Sequence, residues 1–173
     1  MNHVVTMTSL DDSYRALVIG ASGALGTAFC EHLRQDPRCA GVRALGRHTV
    51  PELDLERPET IASAATELAA EAPYHLIVHA AGLLHREGIK PEKSISALEP
   101  EALQAVFQVN TLGPAIVLRD FLPLLAPRGA MAMLSAKVGS IGDNRLGGWY
   151  AYRASKAALN MLIKTASIEL ART

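Results

Sequence analysis

The chain of 173 residues has few cysteines, no net charge and no run of basic or acidic residues. Cys30 and Cys39 are too few for a disulfide framework, and neither they nor the six histidines have metal-site spacing. Seventeen basic residues balance seventeen acidic ones, so nothing predicts binding to nucleic acid or to an anionic membrane. Small molecules remain as the expected partners, and we expect no bound metal.

Long hydrophobic runs are also missing. The longest apolar stretch, around residues 115–125, is interrupted by an arginine and an aspartate and is too short to span a bilayer. The first 13 residues carry Asp11 and Asp12 and lack the basic and apolar regions of a signal peptide. These features predict a soluble, cytoplasmic protein with reduced thiols.

Short apolar runs alternate with longer segments of helical periodicity, which predicts strands followed by helices. The predicted strands are residues 15–19, 42–45, 75–79, 131–134 and a shorter one at 52–54, and the predicted helices are residues 25–35, 58–70, 100–125 and 150–171. Strands that are apolar along their length belong to a sheet covered on both faces. We therefore predict an α/β fold, a doubly wound, Rossmann-like parallel sheet of about five strands in three layers. A polar segment (1–14) would precede one domain (15–173).

A glycine-rich loop follows the first predicted strand. Gly20, Gly23 and Gly26 allow a tight turn and let the backbone approach a pyrophosphate at the N-terminus of the next helix. A simple turn is the alternative. Roughly twenty residues further, where a NAD site has a carboxylate, the chain has Arg47. A guanidinium suits a 2′-phosphate and favours NADPH over NADH, although an exposed loop arginine would look the same.

Tyr152 and Lys156 are four residues apart in the last predicted helix and therefore share one face. A cation ~4 Å from the phenol contributes roughly 4 kcal/mol in a partly desolvated cleft, about three pKa units before desolvation is subtracted. A lowered pKa would bring Tyr152 into the range of a general acid.

Asn110 precedes Pro114 by four residues inside a predicted helix. Proline has no N–H to offer the Asn110 carbonyl, and its ring crowds that carbonyl. We expect the helix to bend and to release one backbone acceptor there. A purely structural kink is the alternative, because Gly113 and Pro114 would bend any helix.

From Leu17 onward these residues resemble the short-chain dehydrogenase/reductase family in order and rough spacing. The matching pieces are the glycine loop, Leu53-Asp54-Leu55, His79-Ala80-Ala81-Gly82, Val109-Asn110 and Tyr152-x-x-x-Lys156. Residues 148–160 are most similar to the small carbonyl-reductase and C-factor branch. The resemblance implies an NADP(H) site made by Gly20, Ser22, Gly23, Ala24, Leu25, Arg47, Asp54, Leu55, Ala80, Ala81, Gly82, Tyr152 and Lys156. Asp54 could equally only cap the turn before Pro58.

The chain departs from the family pattern at two places. Ala136 stands where the family has its catalytic serine. Ser135 is one residue early and Ser140 lies in the loop beyond it; we expect Ser135 to act, with Ser140 or neither as alternatives. Family members also continue past the helix that here ends near Thr173, so we expect a C-terminally shortened form.

The resemblance implies a catalytic set of Tyr152, Lys156, Asn110 and a serine. The leading hypothesis is an NADPH-dependent oxidoreductase that transfers hydride to a small carbonyl substrate, or from the alcohol, with Tyr152 as proton donor. A non-catalytic NADP-binding signalling protein and a cofactor-binding fragment are the alternatives. Helices beginning near residues 100 and 150 form the dimer surface in the family, and four alanines on the second one favour a homo-oligomer.

Overall fold

Four strands form one parallel sheet within residues 7–172, the part of the chain that the computed structural model describes. They are β1 (Tyr14–Ile19), β2 (Cys39–Leu45), β3 (Tyr74–His79) and β4 (Leu125–Met133), in the order β2-β1-β3-β4. Every neighbouring pair is parallel. Residues 16–19 of β1 are almost completely buried, as expected for an apolar strand at the centre of a sheet.

The helices are α1 (Ala24–Gln35), α2 (Pro58–Leu68), α3 (Pro100–Phe107), α4 (Gly113–Phe121) and α5 (Tyr150–Leu170). Prolines open α2 and α3, where the missing N–H has no helical partner to lose. The parallel sheet with flanking helices confirms the predicted Rossmann-like α/β class. Helix starts agree with the sequence prediction within one residue at α1, α2, α3 and α5.

Two predicted elements differ from the structure. The predicted helix over 100–125 is interrupted by a π-helical segment, Gln108–Leu112, and its last residues form a short turn and the start of β4. The fifth strand predicted at 52–54 is wrong: these residues are not part of the sheet. Leu53 is buried, but its N–H donates to the carbonyl of Gly46 in the loop after β2. A single buried leucine between two polar residues gives the same sequence pattern whether it lies in a strand or packs beneath a loop.

The chain forms two compact units. The first comprises residues 7–81 and 116–134 and holds all four strands with α1 and α2. The second comprises residues 82–115 and 135–172 and holds α3, the π-helical segment and α5. The division falls inside α4. One domain over residues 15–173 stays a prediction.

Residues 7–14 of the predicted polar N-terminal segment belong to the first unit and contribute to its core, while residues 1–6 lie outside the described part. Leu10 is buried in the core with Tyr14, Cys30 and residues of β1 and β3. The Asp36 carboxylate accepts the Met7 N–H and the Tyr14 hydroxyl, each at 2.9 Å. The backbone N–H of Met7 is the main reason why the pKa of Asp36 is lowered. No helix within residues 7–172 is long and apolar enough to cross a membrane.

Candidate active site

The glycine loop turns from β1 into α1 in a conformation that only glycine fits at two positions. Gly20 has a φ of +81°, and a Cβ there would lie 2.7 Å from the backbone nitrogen of Ala81. A Cβ at Gly26 would lie 2.1 Å from the Gly20 carbonyl oxygen. A Cβ at Gly23, in contrast, would lie 3.5 Å from the Gly20 carbonyl oxygen, an ordinary van der Waals distance. Glycine is therefore required at positions 20 and 26 to form the turn, whereas Gly23 is exposed and leaves the outer side of the turn open to solvent.

The N-terminus of α1 suits an anionic group. No side chain caps it, and its first turn carries no acidic residue. Ser22, Gly23, Ala24 and Leu25 are all exposed beside it. The first N–H groups of a helix have no partner inside the helix, and the helix dipole is positive at this end. These features suit an anionic group, and binding of a dinucleotide pyrophosphate by this loop stays a prediction.

Ser22 and Arg47 lie on adjacent loops of the first unit. The N–H groups of Gly20 and Ala21 both donate to the Leu45 carbonyl, at 2.9 and 3.1 Å, which holds the two loops together. A Cβ at Gly46 would lie 3.8 Å from the Ser22 hydroxyl oxygen. Arg47 is exposed, and it takes no part in the ion pairs of the described residues. A hydroxyl and a guanidinium are both donors that a phosphate monoester accepts.

Asp54 and Leu55 have structural contacts of their own. Asp54 Oδ1 accepts the N–H of Glu56 at 3.0 Å, and Oδ2 lies 3.5 Å from Nε of Arg57. Leu55 is buried. The turn-capping role that the sequence left open for Asp54 is therefore present, and its contact with adenine stays a prediction.

The end of β3 leads into Ala80, Ala81 and Gly82, which the resemblance places in the cofactor site, on its ribose side. The Ala80 N–H donates to the carbonyl of Ile19 at 2.8 Å, so Ala80 and Ala81 follow the end of β1 closely. Gly82 begins the second unit. A Cβ at Gly82 would lie 3.3 Å from Nζ of Lys156 and 3.4 Å from Oδ1 of Asn110. Three sequence-predicted site residues therefore converge within the second unit.

Asn110 is completely buried in the π-helical segment. Its Oδ1 accepts the Leu83 N–H at 2.7 Å, and its Nδ2 donates to the Leu83 carbonyl at 2.8 Å and to the Ser155 hydroxyl at 3.1 Å. Gly113 N–H bonds to the carbonyl of Gln108, five residues back, where the sequence predicted a bend. Since Pro114 has no N–H, the helix widens there into a π turn. Asn110 thereby ties this segment to α5.

Tyr152 and Lys156 lie on the same face of α5, with Lys156 Nζ 5.9 Å from the centroid of the tyrosine ring. Lys156 is only 3% exposed. Burial lowers the pKa of Lys156 and raises the pKa of Tyr152. The expected lowering of the Tyr152 pKa is therefore wrong for this structure: a nearby cation favours the ionised phenol, but desolvation of the phenol by burial outweighs it.

The two candidate serines have different surroundings. Ser135 is exposed shortly after the end of β4. Ser140 donates to Oδ2 of Asp143 at 2.8 Å, and its oxygen accepts the Asp143 N–H at 3.4 Å. Ser140 is thus engaged in a local turn, whereas Ser135 has no such bond among the described residues.

Sequence reasoning missed Glu92 and Trp149, which shape the start of α5. The Glu92 carbonyl accepts the Trp149 N–H at 2.5 Å, and the Glu92 carboxylate accepts the Ala151 N–H at 3.3 Å. Trp149 occupies the N-cap position without a side-chain bond. The sequence signal for this contact was the lack of Ser, Thr, Asp or Asn directly before α5, which implies that a residue distant in sequence accepts the N–H groups of the first turn.

The sheet and its glycine loop define a Rossmann-type α/β protein. Residues 26–173 match the family model described as enoyl-(acyl carrier protein) reductase. The chain belongs to the short-chain dehydrogenase/reductase family, which confirms the resemblance seen in the sequence.

Among the relatives is 1-hydroxy-2-glutathionyl-2-methyl-3-butene dehydrogenase of Rhodococcus sp. (strain AD45), 30% identical over 123 residues, which cover 71% of this chain and 52% of that protein. C-signal of Myxococcus xanthus is 45% identical over 67 residues, 37% of this chain and 40% of that one. The chain thus spans about half the length of the curated relatives it matches. NADPH-bound carbonyl reductase from chicken fatty liver shares the fold, with a TM-score of 0.79 and 22% identity over 94% of this chain and 73% of that one.

Proposed function

We propose that the chain provides the cofactor-binding and catalytic residues of an NADPH-dependent oxidoreductase that reduces small carbonyl compounds. The observation that carries the proposal is the convergence of Asn110 and Lys156 at Gly82, on the side of α5 that also carries Tyr152. Family membership and the open glycine loop support it. When bound, NADPH supplies the hydride that adds to the carbonyl carbon and is left as NADP⁺.

In this proposal Tyr152 donates its phenolic proton to the carbonyl oxygen, so that the product is the alcohol, and a proton from water restores the phenol. Because burial raises the pKa of Tyr152, the group stays protonated through the neutral range. Lys156 would bond the nicotinamide ribose. Asn110, which bonds the N–H and the carbonyl of Leu83, would hold the backbone next to Gly82 in place. The reduction rate should stay level through neutrality and fall only in alkaline solution, as Tyr152 ionises.

Replacing Tyr152 by phenylalanine tests the proton donor. Tyr152→Phe should abolish reduction and leave NADPH affinity nearly unchanged, because the hydroxyl is lost and the glycine loop is untouched. Lys156→Ala should lower both. Steady-state kinetics and calorimetric titration measure the two quantities, and a Tyr152→Phe protein that kept most of its rate would refute the assignment.

Arg47 and Ser22 would bind the 2′-phosphate in this proposal, with Gly20, Gly23, Ala24 and Leu25 around the pyrophosphate. Hydrogen bonds to charged groups contribute about 1.5–3 kcal/mol, so Arg47→Ala should weaken NADPH binding about tenfold to a hundredfold. NADH affinity should not change. Arg34→Ala removes an exposed arginine near the other end of α1 and is the matched control. Equal affinities of the parent for NADPH and NADH would contradict the cofactor assignment.

Ser135 is the proposed carbonyl-polarising hydroxyl, because it is exposed after β4 and Ser140 is engaged with Asp143. Ser135→Ala should lower kcat, and Ser140→Ala should change it less. The reverse order of effects would assign the role to Ser140, and two unaffected variants would leave the reaction without a serine.

A second candidate function is that of an NADP-binding signalling protein without turnover. Ala136 at the family's serine position and the 45% identity to C-signal over 67 residues favour it. NADPH binding without reduction of any carbonyl compound would distinguish this function from the first. A chain that binds neither NADPH nor NADH would instead be a fragment without independent function.

We further propose a cytoplasmic homo-oligomer. The later part of α5 carries the apolar side chains of Met161, Leu162, Ile168 and Leu170, which are all at least one-third exposed. Covering such a surface with a second copy removes apolar area from water. Cys30 and Cys39 would remain reduced in the cytoplasm.

A further inference from the structure

Trp149 has a backbone conformation that large side chains rarely adopt. Its φ is 54° and its ψ 44°, in the left-handed region. Gly147 and Gly148 precede it with φ values of 63° and 65°. The chain therefore makes three successive left-handed residues before α5, with glycine at the first two and tryptophan at the third. A bulky residue in this region is strained, and such strain is characteristic of functional sites.

Backbone bonds hold Trp149 in this conformation. Its N–H donates to the Glu92 carbonyl at 2.5 Å, and its own carbonyl accepts the Arg153 N–H at 2.8 Å. The Arg153 side chain also donates to the carbonyls of Gly148, at 2.9 Å, and Val138, at 3.2 Å. All of these partners belong to the second unit, so the conformation is fixed locally.

The Trp149 side chain does not serve the helix that it precedes. The N-cap position usually carries a short side chain that accepts an N–H of the first turn, and here the Glu92 carboxylate accepts it instead. Trp149 is 40% exposed, so burial alone does not account for a tryptophan at this position. Its ring meets the Tyr152 ring edge to face, with centroids 6.3 Å apart and an angle of 76° between the planes. The fixed backbone thus presents a half-open aromatic surface beside the proposed proton donor.

We propose that Trp149 is a specificity-determining residue that selects carbonyl substrates with a flat aromatic group next to the carbonyl carbon. This inference depends on the proposed reductase function. An aromatic ring on the substrate packs against the indole, which favours the transition state in which Tyr152 protonates the oxygen. Ile141 and Leu146 are both more than four-fifths exposed in the loop that leads to α5.

Two matched substrate pairs test the preference with the 173-residue chain and NADPH. Acetophenone is compared with cyclohexyl methyl ketone, and benzaldehyde with cyclohexanecarboxaldehyde, since each pair has similar volume and only one member has a flat ring. We expect the parent to favour the aromatic member in kcat/KM. Removing the indole should reduce that preference about twofold to tenfold, the range expected for one aromatic pair.

Three variants separate the ring from the strained backbone. Trp149→Phe keeps an aromatic ring and should keep the preference, whereas Trp149→Ala and Trp149→Gly should lose it. Glycine adopts φ values near 54° without strain, so Trp149→Gly removes the ring at a lower backbone cost than Trp149→Ala and keeps the test valid if the alanine variant is unstable. An unchanged preference in the glycine variant would overturn the inference. A parent that reduces neither member of either pair but does reduce other carbonyl compounds would overturn it too, whereas a parent that reduces no carbonyl compound contradicts the proposed function itself.

Fluorescence gives a readout without turnover, because Trp149 is the only tryptophan of the chain. In Tyr152→Phe with NADP⁺ present, acetophenone should quench the emission with a saturable dependence on concentration. Quenching that rises linearly without saturation would mean only collisions with an exposed indole and would contradict a binding contact.

Discussion

Replacing Glu92 by alanine should loosen the start of α5. Glu92 is 6% exposed, and its Oε2 accepts the N–H of Ala151, the second residue of the helix. Trp149 at the N-cap offers no side-chain acceptor of its own. Without the carboxylate, the N–H of the buried Ala151 would lose its partner, and the helix would lose the anion at its positive end.

The expected cost follows from these two terms. Loss of a capping bond costs about 1 kcal/mol, and loss of a carboxylate at a helix N-terminus costs about 0.3–1 kcal/mol. We therefore expect Glu92→Ala to lower the free energy of unfolding by about 1.3–2 kcal/mol. For a chain of this length that corresponds to a fall in Tm of roughly 3–8 °C.

Glu92→Gln is the matched control, because its amide oxygen can accept the same N–H and only the charge is lost. It should cost less than about 1 kcal/mol. Urea unfolding at neutral pH measures both variants. Since Tyr152 is the third residue of α5, kcat should fall in the alanine variant and largely return in the glutamine variant. Surface substitutions usually change the free energy of unfolding by less than about 0.5 kcal/mol, so an alanine variant this close to the parent would refute the capping role. Alanine and glutamine variants of equal stability would refute it as well.

Three further predictions concern the glycine loop, the N-terminal contacts and assembly. Gly26→Ala would place its Cβ 2.1 Å from the Gly20 carbonyl oxygen, so it should lower the free energy of unfolding by more than about 2 kcal/mol and abolish NADPH binding. Gly41→Ala is the control, because a Cβ there has no atom within 4 Å, and it should change neither quantity. The pKa of Asp36 is lowered in the folded protein, so the ionised Asp36 stabilises the fold above about pH 4, and this stabilisation is lost as the pH falls through the folded pKa. In urea unfolding, Asp36→Asn should be less stable than the parent at pH 7, and the stabilities of the two proteins should converge in acid. A stability difference that did not change with pH would refute this. Met161→Glu should lower the mass measured by light scattering. Ser167→Glu, exposed on the other side of the same helix, should not, and a monomeric parent at micromolar concentration would contradict the proposed oligomer.

Features that depend only on neighbouring residues in the chain could be predicted from the sequence. The apolar run of β1, the proline that opens α2 and the Gly20 turn have local causes: periodicity, a fixed φ and freedom from a Cβ. The position at which the helix after Pro100 becomes π-helical also has a local cause, because Pro114 lacks the N–H that the Asn110 carbonyl would accept. The ordered set of motifs was enough to indicate the family.

Tertiary structure decided what depends on residues distant in sequence. Whether residues 52–54 pair in the sheet was settled by Leu53 bonding to the Gly46 loop. The cap of α5 comes from Glu92, 59 residues before Ala151, and a local pattern cannot show such a partner. The direction of the Tyr152 pKa depended on how much protein surrounds the phenol, since the charge of Lys156 four residues away is visible in the sequence but desolvation is not. Periodicity and backbone geometry act over a few residues, whereas burial and hydrogen-bond partners are properties of the folded chain as a whole.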